Sequence, residues 1–231
     1  RKSFDGQTTF VELPAMLPDF TDGLTIEARV RYEQFNRWSR IIDLGDGDRK
    51  RNMLLANKEN SRHLIFQVYR GDGAIFALES PADLPQGQWT HIAATIEKDG
   101  QAHLYMDGVE TASGRMDVPA GMARLYNYLG KGSWNDPLFQ GEMEAVRLYS
   151  HALTAQQIKV LAQGQEPSGG ERALISTEYS RVRVDAQRRK SVMMLRCLAL
   201  PTLAGVQLID EQRIEELEMT WIGNAQIKPT L

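Results

Sequence analysis

Residues 88–112 read Gln88-Trp-Thr-His-Ile-Ala-Ala-Thr-Ile-Glu97-Lys-Asp-Gly100-Gln101-Ala-His-Leu-Tyr-Met106-Asp-Gly108-Val-Glu-Thr-Ala112. Lys98-Asp99-Gly100 reads as a turn between one strand, Gln88–Glu97, and the next, Gln101–Met106. Asp107-Gly108 then opens the next hairpin, because a type I′ turn needs two central residues that tolerate positive φ. The segment predicts three antiparallel strands in a meander.

The same grammar extends outward. Leu24, Ile26, Ala28, Val30 and Tyr32 alternate with Thr25, Glu27, Arg29, Arg31 and Glu33, the period of a strand with one buried and one wet face. Leu64, Phe66 and Val68 alternate likewise with His63, Ile65 and Gln67. Fifteen of the 19 glycines lie in residues 1–164, where tight turns are needed. Many short strands with regular turn signals indicate an all-β sandwich or barrel. One helix interrupts the pattern. Thr154-Ala-Gln-Gln157 is a capping box, Leu153, Ile158 and Leu161 supply its apolar contacts, and Gly164 is placed to end it. This helix is expected to close the domain at residue 164.

The chain of 231 residues suits one large domain with an appendage. Twenty-seven basic against 30 acidic residues argue against a nucleic-acid-binding surface. The single cysteine excludes an internal disulfide and a Cys-rich zinc site. The longest apolar stretch, Val192–Ile209, carries Arg196 and Pro201. A central Arg costs about 2.5–3.5 kcal/mol in a membrane span, so no membrane insertion is expected. The start at Arg1 suggests an excised piece of a longer protein. Gln165–Gly170 is a linker by composition. Residues 165–231 are expected to be a β-rich C-terminal extension packing on the sandwich or on a partner. Within it, Arg181–Val184 suggests a strand, Ser191–Leu200 a buried strand, and Asp210–Trp221 fits either a helix or a strand. Cys197 reads as a small buried hydrophobe.

By residue 150 the motifs resemble the concanavalin A-like jelly rolls of the laminin G-like (LamG) group. Phe4-Asp5-Gly6 with Thr9–Leu13 is similar to the family's opening strands, and Gln88–Ala94 to its Trp-x-His-Ile-Ala strand. His103–Val109 resembles its Leu-Tyr-x-Asp-Gly hairpin, Leu129–Gly141 the loop before its last strand, and Glu142–Leu153 its closing segment. The likeness spans residues 3–163 and implies a concanavalin A-like β-sandwich with one short closing helix. It further implies a non-catalytic recognition module for a glycan or protein surface, within a larger secreted or cell-surface protein. A structural calcium site between the first and last strands is also implied, at Asp5 and Glu144. Glu144 stands where the family usually has Asp.

Two other functions compete. Glu142 and Glu144 point to one face, roughly 6.6–7 Å apart along a strand, which flexible side chains can narrow to the spacing of a glycosidase pair. A purely architectural role in a large toxin or adhesin assembly is the second. For ligand contact, exposed aromatics near turns are the best candidates: Trp38, and Trp134 with Asn135 and Asp136. An indole can stack on a sugar's C–H face while Asn and Asp take its hydroxyls. Trp89, in a meander strand, reads as core. Asp43, Asp46 and Asp48 read as a charged hairpin, Arg70-Gly71-Asp72 as a turn, and the four histidines as structural. Gly130-Lys131-Gly132-Ser133 has the wrong order for a phosphate-binding loop.

Overall fold

The computed structural model describes residues 1–167, Ala173 and five short strand segments beyond them. Two antiparallel sheets pack face to face. The first runs, in spatial order, β1 (Lys2–Asp5), β12 (Gln140–Tyr149), β3 (Leu24–Gln34), β8 (Trp89–Ile96), β9 (Gln101–Met106) and β10 (Val109–Arg115). The second runs β2 (Val11–Leu13), β11 (Tyr126–Leu129), β4 (Arg40–Gly45), β5 (Met53–Asn57), β6 (His63–Tyr69) and β7 (Ile75–Asp83). This is the all-β sandwich expected from the alternation, in the jelly-roll form that the family resemblance implies. The inner faces meet in one core that includes Ile26, Ala28, Val30, Ile42, Leu55, Phe66, Ile92 and Leu104.

The meander forms as its turns require. Asp107 and Gly108 both have positive φ, 47° and 78°. Gly141 holds φ at 147°, and a Cβ there would lie 2.0 Å from the Arg31 carbonyl oxygen, so β12 can reach β3 only with glycine. At the sandwich end near that glycine, Tyr32 packs between Phe35 and Phe139 (ring centroids 4.4 and 4.6 Å), and Phe4 meets Phe139 edge-on at 5.6 Å. Such pairs contribute about 0.5–1.5 kcal/mol each beyond area burial.

Helix α1 (Ala155–Ala162) carries both hydrogen bonds of its capping box. At its other end the Gly164 N–H donates to Leu161 O and the Gln165 N–H to Val160 O, with Gly164 at φ 73°. This is the Schellman arrangement, which satisfies carbonyls that the helix leaves free. Ile158 and Leu161 pack with Ala93, Tyr105, Tyr149 and Leu153 on the outer face of the first sheet.

That cover explains a departure from the simple alternation. Thr25 and Glu27 lie on the nominally wet face of β3 yet are buried. The Thr25 hydroxyl donates to His151 O and accepts from the Leu153 N–H, and Glu27 accepts from Arg147 (2.5 Å) and pairs with His91 (3.0 Å). Burial pushes the Glu27 carboxyl up, but His91 and Arg147 outweigh it and hold the group below its ordinary value.

Trp89 corrects a second expectation. It is only partly buried and faces outward on the first sheet. The guanidinium groups of Arg1, Arg29 and Arg31 lie 5.3, 5.3 and 6.0 Å from its ring. Alternation decides this, since Thr90 and Ile92 take the buried positions beside it.

Beyond the helix, β13 (Ile175–Ser176) pairs with β12 next to Arg147 and Leu148. Two hairpins follow, β14 (Val182–Asp185) with β15 (Lys190–Met193), and β16 (Met219–Ile222) with β17 (Gln226–Pro229). The strand expected over Arg181–Val184 corresponds to β14. Most of Ser191–Leu200 and Asp210–Trp221, together with Cys197 and Ser168–Gly170, lies outside the described residues. Among the described residues no helix is long and apolar enough to cross a membrane.

Candidate functional site

The loop joining β11 to β12, residues 130–139, brings most of the candidate ligand residues together. Its ends close on each other through Phe139 N–H to Gly130 O (2.9 Å), and Gly130 packs against the Phe4 ring with no room for a Cβ. Asn36 donates to Leu138 O at 3.1 Å and ties the loop to the chain after β3.

One side of this loop folds onto the outer face of the second sheet. There Leu54, Ala56 and Ile65 form a small apolar patch, with Trp38, Tyr69 and Trp134 packed against it. Arg40 sits at the centre. Its guanidinium lies 5.5 Å from the Trp38 ring and 5.1 Å from the Trp134 ring. It donates to Asp136 Oδ2 at 3.0 Å and to the Trp38 carbonyl. Trp38 occupies the left-handed region at φ 52°, a conformation that costs an L-residue roughly 1–2 kcal/mol. The Arg40 bond and the Trp38 N–H bond to Glu59 O (2.9 Å) hold it there.

Beside Arg40, the buried Asp43 accepts from Asn52 Nδ2 at 2.8 Å and from the Ser133 N–H at 2.9 Å. Burial pushes its carboxyl up to about 6, against the opposing pull of those two bonds and of Arg40 and Arg124. Gly132 packs closely here: a Cβ would meet Arg40 Cγ at 3.0 Å and Asp43 Oδ2 at 3.2 Å, so any larger residue would press on both side chains.

The structure thus joins Trp38, Trp134 and Asp136 through Arg40. The guanidinium engages one face of each indole, and both rings stay partly exposed. Asn135, at the tip of the loop, is exposed. Sequence reading missed Arg40 and placed Asp43 in a charged hairpin, whereas Asp43 lies within β4 and is fully buried, since nothing local marks a strand Arg or Asp as buried.

The other side of the loop walls an open groove of about 530 Å3, lined by Gln7, Thr8, Phe10, Lys131, Asn135 and Pro137, among others. That volume falls within the roughly 300–1,000 Å3 of small-ligand clefts. The Lys131 ammonium rests 4.4 Å from the Phe10 ring and 4.8 Å from the Tyr128 ring. Lys131 lies in the very segment that failed the phosphate-loop pattern, and its flanking glycines were the available signal.

Asp5 and Glu144 are not brought together. Asp5 pairs in register with Gln140, and its oxygens accept from the N–H groups of Gln7, Thr8 and Thr9 (2.8–2.9 Å) and from the Thr8 hydroxyl (2.6 Å). Burial opposes, but these bonds hold its carboxyl well below the carboxylate range. Glu144 lies four residues further along β12 and pairs with Arg29. An Asp5 carboxylate engaged by four hydrogen bonds of its own turn and a Glu144 turned to a guanidinium form no shared shell for a calcium ion. Among the described residues no group of three His, Cys, Asp or Glu side chains converges to hold a metal.

Glu142 also faces arginines. Arg1 donates to both its oxygens (2.6 and 2.5 Å), and Arg31 pairs with it. Burial pushes its carboxyl up, yet Arg1 and Arg31 hold it below its ordinary value. A glycosidase's general acid needs the opposite direction. Asp46 pairs with Arg51 in the β4–β5 turn, and Arg70 with Asp72 and Asp117 in the turn after β6.

Two antiparallel sheets packed face to face, with an open groove beside the loop before the last strand, form a concanavalin A-like sandwich. The family described as the concanavalin A-like lectin/glucanases superfamily (Laminin_G_3) matches residues 5–159, and the chain belongs to it. Among solved structures it is similar to domain 4 of AbnA, a GH43 extracellular arabinanase from Geobacillus stearothermophilus in complex with arabinotriose. The identity is 25% and the TM-score 0.56, over 70% of this chain and 75% of that one. The SAP-like pentraxin from Limulus polyphemus shares the fold at 18% identity and TM-score 0.53, over 74% and 86%. The CBM40 of the Ruminococcus gnavus IT-sialidase, bound to α2,3-sialyllactose, does so at 16% and 0.53, over 67% and 96%. No curated protein matches the chain.

Proposed function

We propose that this chain is a non-catalytic glycan-binding module of a larger secreted or cell-surface protein. Its ligand contacts lie in the groove between residues 6–10 and the loop 130–139. The observation that carries this reading is the groove itself. Its rim offers the amides of Gln7 and Asn135, while Phe10, Pro137 and Leu138 supply apolar surface. Hydroxyl-rich ligands with C–H faces suit such a mixture. Trp38, Trp134 and Asp136 serve by holding the loop in place, and Asn135 by direct contact. The similarity to an arabinanase domain solved with arabinotriose supports an oligosaccharide over a protein ligand. Glu142 and Glu144, each engaged by arginine, speak against hydrolysis.

The test is a glycan array probed with the 231-residue chain, in calcium and again in EDTA. A defined set of bound glycans, lost in Asn135→Ala and unchanged by EDTA, is the expected result. Binding that vanishes in EDTA would return a metal to the site, and silence toward every glycan would overturn the proposal.

A further inference from the structure

Resting on that reading, we infer that the groove selects an acidic sugar, one carrying a carboxylate or a sulfate ester, and that Lys131 is the residue that recognises the negative charge. The argument starts from what compensates each charge around the groove. Asp136 is committed to Arg40 at 3.0 Å. Asp5, beside the groove, already accepts four hydrogen bonds from its own turn. Arg40 is buried beneath the loop. Among the described residues no carboxylate comes within ion-pair distance of the Lys131 ammonium, which lines the groove and is held by the Phe10 and Tyr128 rings.

Ring faces favour a cation without neutralising it, and they replace part of its water. The Phe10 and Tyr128 rings are themselves fixed, edge to face at 6.1 Å, so the ammonium is pre-positioned. A charge ordered in advance and partly dehydrated loses little on meeting an anion. A lysine, unlike an arginine fork, acts as a point charge, which accepts either a carboxylate or a sulfate. The amides of Gln7 and Asn135 remain for the hydroxyls of the same sugar.

The experiment titrates the 231-residue chain with three matched oligosaccharides: a neutral parent, its uronate-bearing counterpart and its sulfated counterpart. Wild type, Lys131→Gln and Lys131→Arg are compared at low and high salt. Wild type is expected to prefer an acidic probe, with the preference shrinking as salt rises. Lys131→Gln is expected to lose roughly tenfold on that probe, leaving the neutral parent unchanged, while Lys131→Arg keeps most of the affinity. Which acidic probe binds tells carboxylate from sulfate. Thermal melts confirm that each variant is folded. Equal binding of neutral and acidic probes, indifferent to Lys131→Gln, would overturn this inference while leaving the glycan-binding proposal intact. Failure to bind any of the three, with a silent array, would overturn both.

Discussion

Asp43 offers a direct test of how the loop 130–139 is held. Its carboxyl is fully buried between β4 and the loop, and burial raises it from 3.8 to about 6. Between those two values the folded protein keeps a proton that the unfolded chain has already released. Stability must therefore fall as pH rises through that window. At about 1.36 kcal/mol per tenfold change in proton affinity, the full effect is about 3 kcal/mol. Asp43→Asn cannot titrate, and every other ionising group is common to both proteins. Asn52 Oδ1 is a buried acceptor without a partner, so a flipped Asn52 can receive the new amide. Denaturant unfolding of both proteins, at steps from about pH 3.5 to about pH 7, isolates the Asp43 contribution as the stability of wild type minus that of the variant. That difference should decline by roughly 2–3 kcal/mol across the range. A difference that stays flat, or that rises with pH, would show that Asp43 ionises as readily folded as unfolded and would refute the reasoning.

Three further outcomes follow from the same structure. Thr154→Ala removes the hydroxyl of the capping box and should cost about 1 kcal/mol in denaturant unfolding, most of it recovered by Thr154→Ser. Gly141→Ala forces a Cβ against the Arg31 carbonyl oxygen. It should cost about 2–4 kcal/mol, read as a large fall in melting temperature, whereas a melt like wild type would show that β12 can shift away from β3. Glu142→Gln should leave glycan binding unchanged. Neither it nor wild type should release reducing sugar from the bound glycans, and a wild-type release that the variant lacks would restore the hydrolase reading.

Much of the fold is legible in the chain because its signals are local. Period-two alternation in Leu24–Tyr32 and Leu64–Val68, the Asp107-Gly108 turn and the Thr154–Gln157 box each involve neighbours within a few residues. Each appears in the structure within a residue or two of its expected place. The candidate loop was also legible locally: Trp134, Asn135 and Asp136 follow one another in a turn-rich stretch. What could not be read depends on contacts across the sandwich. Arg40 meets Asp136 across 96 positions, and Asp43 meets Ser133 across 90. Neither partner carries a mark of the other.

The same division separates what the amino-acid order determined from what the tertiary structure decided. Strand identity, turn positions and the closing helix arise from backbone preferences and side-chain periodicity, which each segment carries within itself. Which face of a strand is wet does not. Alternation assigns Glu27 and Trp89 to a face, but only the docking of α1 and the neighbouring strands decides that Glu27 is buried and Trp89 lies among arginines. The groove likewise exists only because the loop after β11 is pinned over β4 and opposite the turn at residues 6–10. That arginines compensate Glu142 and Glu144 while Lys131 keeps no carboxylate partner among the described residues is a property of that assembled surface, since an ion pair depends on distance in space and not on separation along the chain.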